Sequence, residues 1–307
     1  MSLLQAIFMG ILQGITEFLP VSSSGHLALF KNLFQIETET GMLFDILLHF
    51  ATLLAICVVY YKDIARLFVE GLGILRDWAI NFACLCRNIV LFAGNKLSRR
   101  NLNNEDLDYS EYRKVVNSAY RKFVILILMS SIPTAIIGFV SKDVAEQAAN
   151  LLIVPGICWI VTAGLLFVAD KAKGGEKLPR EVTYTNAFII GIVQGIATLP
   201  GISRSGATIA ACLLCGFNRK FAVKYSFIMS IPAILGATLL ELTEVSGADI
   251  AGGEIFSYVV GMIFAAVVGY ISIKTMLVVV GKKKFTIFSI YCLLLGLIAI
   301  GGYYYMV

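Results

Sequence analysis

Residues 10–26 read Gly10-Ile-Leu-Gln13-Gly-Ile-Thr-Glu17-Phe-Leu-Pro20-Val-Ser22-Ser23-Ser24-Gly25-His26, and the fold turns on how this stretch is read. Its surroundings over 3–30 are apolar enough for helix inside a bilayer, but Pro, Gly and clustered Ser break the middle. Two half-helices around an irregular turn are expected. Such a turn survives at membrane depth only where protein or water, and not lipid, satisfies its backbone groups. Residues 3–30 are therefore predicted to form a re-entrant hairpin.

The pattern occurs twice. Gly10-Ile-Leu-Gln-Gly-Ile15 recurs as Gly191-Ile-Val-Gln-Gly-Ile196, Leu19-Pro20 as Leu199-Pro200, and Ser22-Ser-Ser-Gly25 as Ser203-Arg-Ser-Gly206, so 186–217 is a second hairpin. Six further runs, 43–61, 123–141, 151–169, 225–241, 256–280 and 285–305, approach the roughly 20 residues that a helix needs to cross a hydrocarbon core. The expected fold is an all-α integral membrane protein with an inverted-topology repeat, each copy a re-entrant helical hairpin plus three transmembrane helices. The first copy takes 1–170 and the second 171–307; three crossings, an odd number, invert the second copy. Inverted repeats with broken helices place a binding site near the midplane, here built from 13–26 and 194–208.

Composition agrees. Of 307 residues, 58% are hydrophobic and only 15% charged, with mean hydropathy +0.84, whereas a soluble domain carries about 25% charge. An ordinary soluble enzyme, a disordered chain and a disulfide scaffold are excluded. The net charge of +5 sits in connections, where it sets orientation and does not imply nucleic acid. The connection 62–122 holds 11 Lys/Arg, 170–185 holds Lys171, Lys173, Lys177 and Arg180, and 282–284 is Lys-Lys-Lys; these are expected at the cytoplasmic face. The segments 142–150 and 242–255, poor in basic residues, are expected outside, together with both termini. Within 62–122 an apolar island, 79–92, and a polar run, 101–112, read as an inner-face loop with an interfacial helix or else as a solvated subdomain. The N-terminus lacks the basic residues of a secretory signal, so residue 1 is expected to belong to the mature fold. The seven cysteines lie in apolar sequence and read as small hydrophobes, without metal or redox partners at suitable spacing.

The chemistry concentrates in the two turns. Gln13 and Glu17 are four apart and share a helix face, and a carboxylate inside an apolar half-helix is expensive unless it pairs with Arg204, binds a cation or takes a proton. Ser22, Ser23 and Ser24 open the second half-helix; they read as a helix cap or as an anion site, where hydroxyls and orphan N–H groups converge. His26 follows, one of two histidines in the chain, and Ser or His can attack phosphorus. Arg204 is the only basic residue between Arg180 and Arg219, and with Ser203, Ser205 and Thr208 around it a phosphate is the expected ligand. His49, four residues after Asp45, reads either as a second proton relay or as half of a structural pair.

ITEFLPVSSSGH at 15–26 and LPGISRSGAT at 199–208 resemble the two signature segments of the undecaprenyl-diphosphate phosphatase family, the bacitracin-resistance type, and the pattern of spans is similar over nearly the whole chain. The resemblance implies a multi-pass enzyme of the bacterial plasma (inner) membrane; the charge pattern, by which the first hairpin enters from the outer side, implies an active site opening toward the outer face. The enzyme implied by the resemblance would remove the terminal phosphate of undecaprenyl diphosphate, regenerate the carrier lipid for cell-wall synthesis and confer bacitracin resistance. The resemblance also implies catalytic roles for Glu17, Ser23 and His26 and phosphate binding by Arg204, while Ser22, Ser24, Ser203, Ser205 and Thr208, read from the residues as neutral donors, complete the expected substrate site. A divalent cation, Mg2+ or Ca2+, would be held by Glu17 and Gln13, where Gln13 stands in the first place of an (E/Q)-x-x-x-E pattern. Partners are the polyprenyl diphosphate lipid and the bilayer, with a homodimer as the candidate assembly. The connection 62–122 is longer than expected for the family. A transporter or flippase of an anionic polyprenyl lipid is the competing class, since inverted repeats and broken helices serve transport too.

Overall fold

The computed structural model describes residues 1–34, 38–97, 109–149, 151, 153–172, 175–244 and 252–306. Among these the chain is helical, with one isolated backbone bridge between Lys177 and Phe217. The order is α1 (Leu3–Phe18), α2 (Ser23–Phe34), α3 (Thr38–Val59), α4 (Tyr61–Leu97), α5 (Ala119–Val140), α6 (Lys142–Ala149), α7 (Ile153–Lys171), α8 (Tyr184–Ile196), α9 (Arg204–Leu214), α10 (Arg219–Glu244), α11 (Gly252–Gly281) and α12 (Phe285–Met306). Five of them, α5, α7, α10, α11 and α12, are long and apolar enough to cross a membrane, and α3 makes six when counted with the helix that follows it. This is a multi-pass helical membrane protein. By contrast α1 has 16 residues, or about 24 Å of helix, against a core of about 30 Å; α8 and α9 are shorter still.

Two compact units are present, Met1–Tyr61 with Leu126–Val307, and Lys62–Ile125. In the larger unit helices of the two sequence halves pack on one another. There α1 packs on α11, where a Cβ at Gly10 would run into the Gly261 carbonyl. The repeated glycine does the same in the other half: a Cβ at Gly191 of α8 would run into the Ser130 carbonyl of α5. Small residues let backbones approach this closely, which is how helices associate without a hydrophobic drive between them. The helices α7 and α12 meet through another glycine pair, Gly156 against Gly296.

The smaller unit corrects one expectation. Its apolar island is part of α4, a continuous helix of 37 residues that begins two positions after α3 ends, so the helix expected within 62–122 is longer than the island 79–92. Asp63, Glu70 and Asp77 are seven apart and share one face of α4. Arg121 donates to Glu70 at 3.0 Å and to Asp77 at 2.6 Å, and Tyr120 donates to Asp63 at 2.8 Å. Hydrogen bonds from Arg121 and Arg76 hold the Asp77 carboxyl below the usual aspartate range. Further along that face the Asn81 side chain pairs with both backbone groups of Arg113, and Asn88 with both of Ser110. Residues 101–108 of the polar run and 245–251 of the predicted outer segment lie outside the described residues.

Candidate active site

Helix α1 ends at Phe18 because Leu19 turns extended and Pro20 offers no N–H to continue the ladder. Ser22 then adopts φ 70°, left-handed and costly for a residue with a Cβ, and α2 begins at Ser23. In the second hairpin Gly201 takes φ 93°, and Ser203 caps α9 by accepting from the Gly206 N–H at 3.1 Å. Protein groups satisfy both turns. Trp159 of α7 donates its indole N–H to the Val21 carbonyl at 3.0 Å, while Thr162 donates to the Gly201 carbonyl and accepts from the Ser203 N–H, each at 3.1 Å. These contacts meet the condition under which irregular backbone persists at membrane depth.

Glu17 is where the two turns converge. Its Oε2 accepts from Ser23 Oγ at 2.6 Å and from Gln13 Nε2 at 3.1 Å; its Oε1 lies 3.5 Å from the Arg204 guanidinium. His49 Nδ1 lies 3.5 Å from Oε2 and accepts from Gln13 Nε2 at 3.0 Å. A buried carboxylate thus has one cation, one hydroxyl and one amide as partners, the satisfaction that a charge in low dielectric requires. The cluster forms the floor of a cavity of about 830 Å³. Apolar side chains of α5 and α10, including Phe139, Ala233 and Leu240, make much of its wall.

The expected site residues divide into two groups. Glu17, Ser22, Ser23, Ser24, Ser203 and Arg204 line the cavity. Ser205 and Thr208 instead border a void of about 10 Å³ behind Arg204, and Thr208 donates to the Arg204 carbonyl at 2.8 Å. His26, only 3% exposed, also lies off the cavity lining: Nδ1–H donates to the Ser22 carbonyl at 2.7 Å, and Nε2 accepts from Tyr291 at 2.7 Å. Its ring stacks on Tyr291 and meets Trp159 edge-on. Both nitrogens are engaged, so the ring is placed to brace the turn.

A family profile described as Bacitracin resistance protein BacA matches residues 6–298. The chain belongs to the BacA family. Proteins named undecaprenyl-diphosphatase are similar over essentially their full length: 36% identity to that of Halothermothrix orenii, covering 98% of each chain, and 39% to that of Parabacteroides distasonis, again covering 98% of each. That of Desulfosudis oleivorans is 39% identical, covering 95% of this chain and 96% of its own.

Around this cavity of the BacA-family chain the sequence left four contributors unassigned. Trp159 and Tyr291 position the first turn, while Lys142 and Glu241 supply further charge to the cavity wall. Glu241 had a signal, being a carboxylate in the last turn of a predicted crossing, where an ionisable group is functional by default. Trp159 had none, because nothing in an apolar span tells which aromatic faces a turn far away in sequence. Among the described residues no group of three or more His, Cys, Asp or Glu is arranged to hold a metal. Gln13 turns its amide nitrogen toward Glu17, and its buried Oε1 has no hydrogen-bond partner. Of the two residues expected to hold a cation, Glu17 alone turns an anionic oxygen to the cavity.

Proposed function

We propose that the protein hydrolyses undecaprenyl diphosphate to undecaprenyl phosphate and inorganic phosphate at the floor of this cavity. The observation that carries the reading is the 2.6 Å hydrogen bond from Ser23 to Glu17, with Arg204 on the other carboxylate oxygen. A nucleophile and base at this separation form the recurring unit of covalent catalysis. Pure lipid transport needs anion contacts but no such pair, which favours hydrolysis over a flippase.

The terminal phosphate lies against Arg204, whose planar fork matches two of its oxygens, and against the hydroxyls and N–H groups at the start of α2. Ser23 Oγ attacks phosphorus and passes its proton to Glu17, while the bond from phosphorus to the bridging oxygen breaks and undecaprenyl phosphate leaves. Water then attacks the phosphoserine, Glu17 returns the proton to Ser23, and phosphate is released. His49, beside Glu17, relays protons between the carboxylate and the cavity. A divalent cation, Mg2+ or Ca2+, would be held by Glu17 with Gln13 beside it and would supply neutralisation of diphosphate charge.

The halves 1–170 and 171–307 are read as an inverted repeat; the reciprocal glycine packing of α1 on α11 and α8 on α5 supports this. The membrane is the bacterial inner membrane and the cavity opens outward. Lys142 and Glu241, which border the two segments poor in basic charge, line the cavity and support that orientation.

The test is phosphate release by purified protein in detergent, followed by acid quench and phosphoserine analysis. Wild type is expected to release phosphate and to trap label on Ser23. Ser23→Ala should lose turnover on the order of a hundredfold or more. Wild-type turnover in Ser23→Ala overturns the assignment.

A further inference from the structure

The exposed face of α4 has no partner among the described residues of its own unit, and its composition is specific. Phe68, Leu72, Leu75, Trp78, Phe82 and Ile89 are all exposed and recur at helical spacing along one stripe. Their charged neighbours on the exposed side, Arg76 and Arg87, are both cations, three turns apart on a single shoulder of that stripe. The acids are all opposite: Asp63, Glu70 and Asp77 face the 109–121 segment, where Tyr120 and Arg121 engage them. Arg76 remains 65% exposed while reaching Asp77, whose other oxygen Arg121 already holds. An apolar stripe with a basic shoulder and hidden acids is the surface of a helix lying in a membrane interface.

We propose that α4 lies in the headgroup region of the leaflet onto which α3 emerges, its apolar stripe on the acyl boundary and Arg76 and Arg87 on anionic lipid phosphates. Chain connectivity supplies the proximity. Helix α4 starts at Tyr61, two residues after the end of α3, and the unit ends inside α5, so both ends are tethered to helices long enough to approach or cross the bilayer. Electrostatic attraction to anionic lipid falls off within a Debye length, and this tether keeps the shoulder inside that range. Tyr61 and Trp78 are the aromatic types that settle at such an interface.

The two tryptophans make the test direct, because Trp78 is 61% exposed and Trp159 only 1%. Full-length protein in nanodiscs is compared with Trp78→Phe using lipids brominated near the headgroup end of the acyl chain. The difference between the two proteins isolates Trp78. It should show strong quenching by brominated lipid, greater when phosphatidylglycerol is included. Arg76→Glu with Arg87→Glu should cut this difference about twofold in anionic discs, with phosphatase turnover in detergent unchanged. Quenching of Trp78 by aqueous iodide and not by brominated lipid overturns the proposal. Protection from both quenchers, with dimers by light scattering, would assign the face to a second copy and overturn it equally.

Discussion

The Gly201 N–H donates to the Ser22 hydroxyl at 3.1 Å, joining the turns of the two hairpins, and each of the two residues has a left-handed backbone. Ser22 holds its conformation without being glycine because the hydroxyl serves both Gly201 and the Gly25 N–H. Ser22→Ala should therefore destabilise by about 1–3 kcal/mol, the cost of leaving buried donors unpaired. Ser22→Gly loses the same bond but relieves a strain of about 1–3 kcal/mol, so it should melt higher than Ser22→Ala. Thermal unfolding in detergent compares the two, and equal melting temperatures would remove the strain argument.

Arg204 offers a planar fork where lysine would offer a point charge. Arg204→Lys should insert and fold yet lose most activity, with kcat falling along with affinity, since charge shifts onto phosphate oxygens in the transition state. Steady-state kinetics on a polyprenyl diphosphate decides this. Unchanged constants would make Arg204 a structural partner of Glu17 alone.

With its ring nitrogens engaged by Ser22 and Tyr291, His26 is expected to act through the turn. Tyr291→Phe deletes the hydrogen bond to Nε2 and should lower turnover several-fold with little change in KM. His26→Ala should lower turnover further and also lower the melting temperature, since it empties a buried aromatic site against Trp159. A His26→Ala protein with wild-type stability and no activity would place His26 in contact with substrate.

These residues show what the amino-acid sequence reveals and what it withholds. Pro20 beside three serines, and Pro200 before Gly201, mark the breaks because proline and left-handed positions interrupt helices whatever surrounds them. Glu17 and Arg204 were legible for a similar reason, as charges at membrane depth need each other or a ligand. The directions of His26 and His49 were not. His26 follows Ser23 by three residues in the same first turn, and the modest difference in angle sends one to Glu17 and the other to Tyr291. Packing by α7 and α12, remote in sequence, fixes that angle. The length of α4 was hidden because its acids and cations limited the expected interfacial helix to the apolar island 79–92 until Arg121 is seen to hold Glu70 and Asp77 on one face.

Glycine at position 191 lets α8 touch α5. Gly191→Val would drive a branched side chain into the Ser130 carbonyl and the Pro133 ring, overpacking that costs about 1–3 kcal/mol or more. Unfolding by denaturant in micelles should show the loss, and Gly164→Val, in open space, should not. Comparable losses at both positions would refute the close-packing account.

Orientation has a simple reporter. Val144 on α6 is exposed, and a single cysteine there in a cysteine-free background should react with an impermeant maleimide from outside intact cells. A cysteine replacing Lys283 should react only after lysis. The reverse pattern would turn the cavity toward the cytoplasm.

The cavity has a charged floor and an oily wall between α5 and α10, and on the proposed reaction the two products have opposite preferences between those surroundings. Inorganic phosphate is driven to water, whereas the C55 carrier is held by hydrocarbon it need never leave. Separation of the products then requires no swing of the protein. Each departs into the phase that already prefers it, and neither blocks the exit of the other.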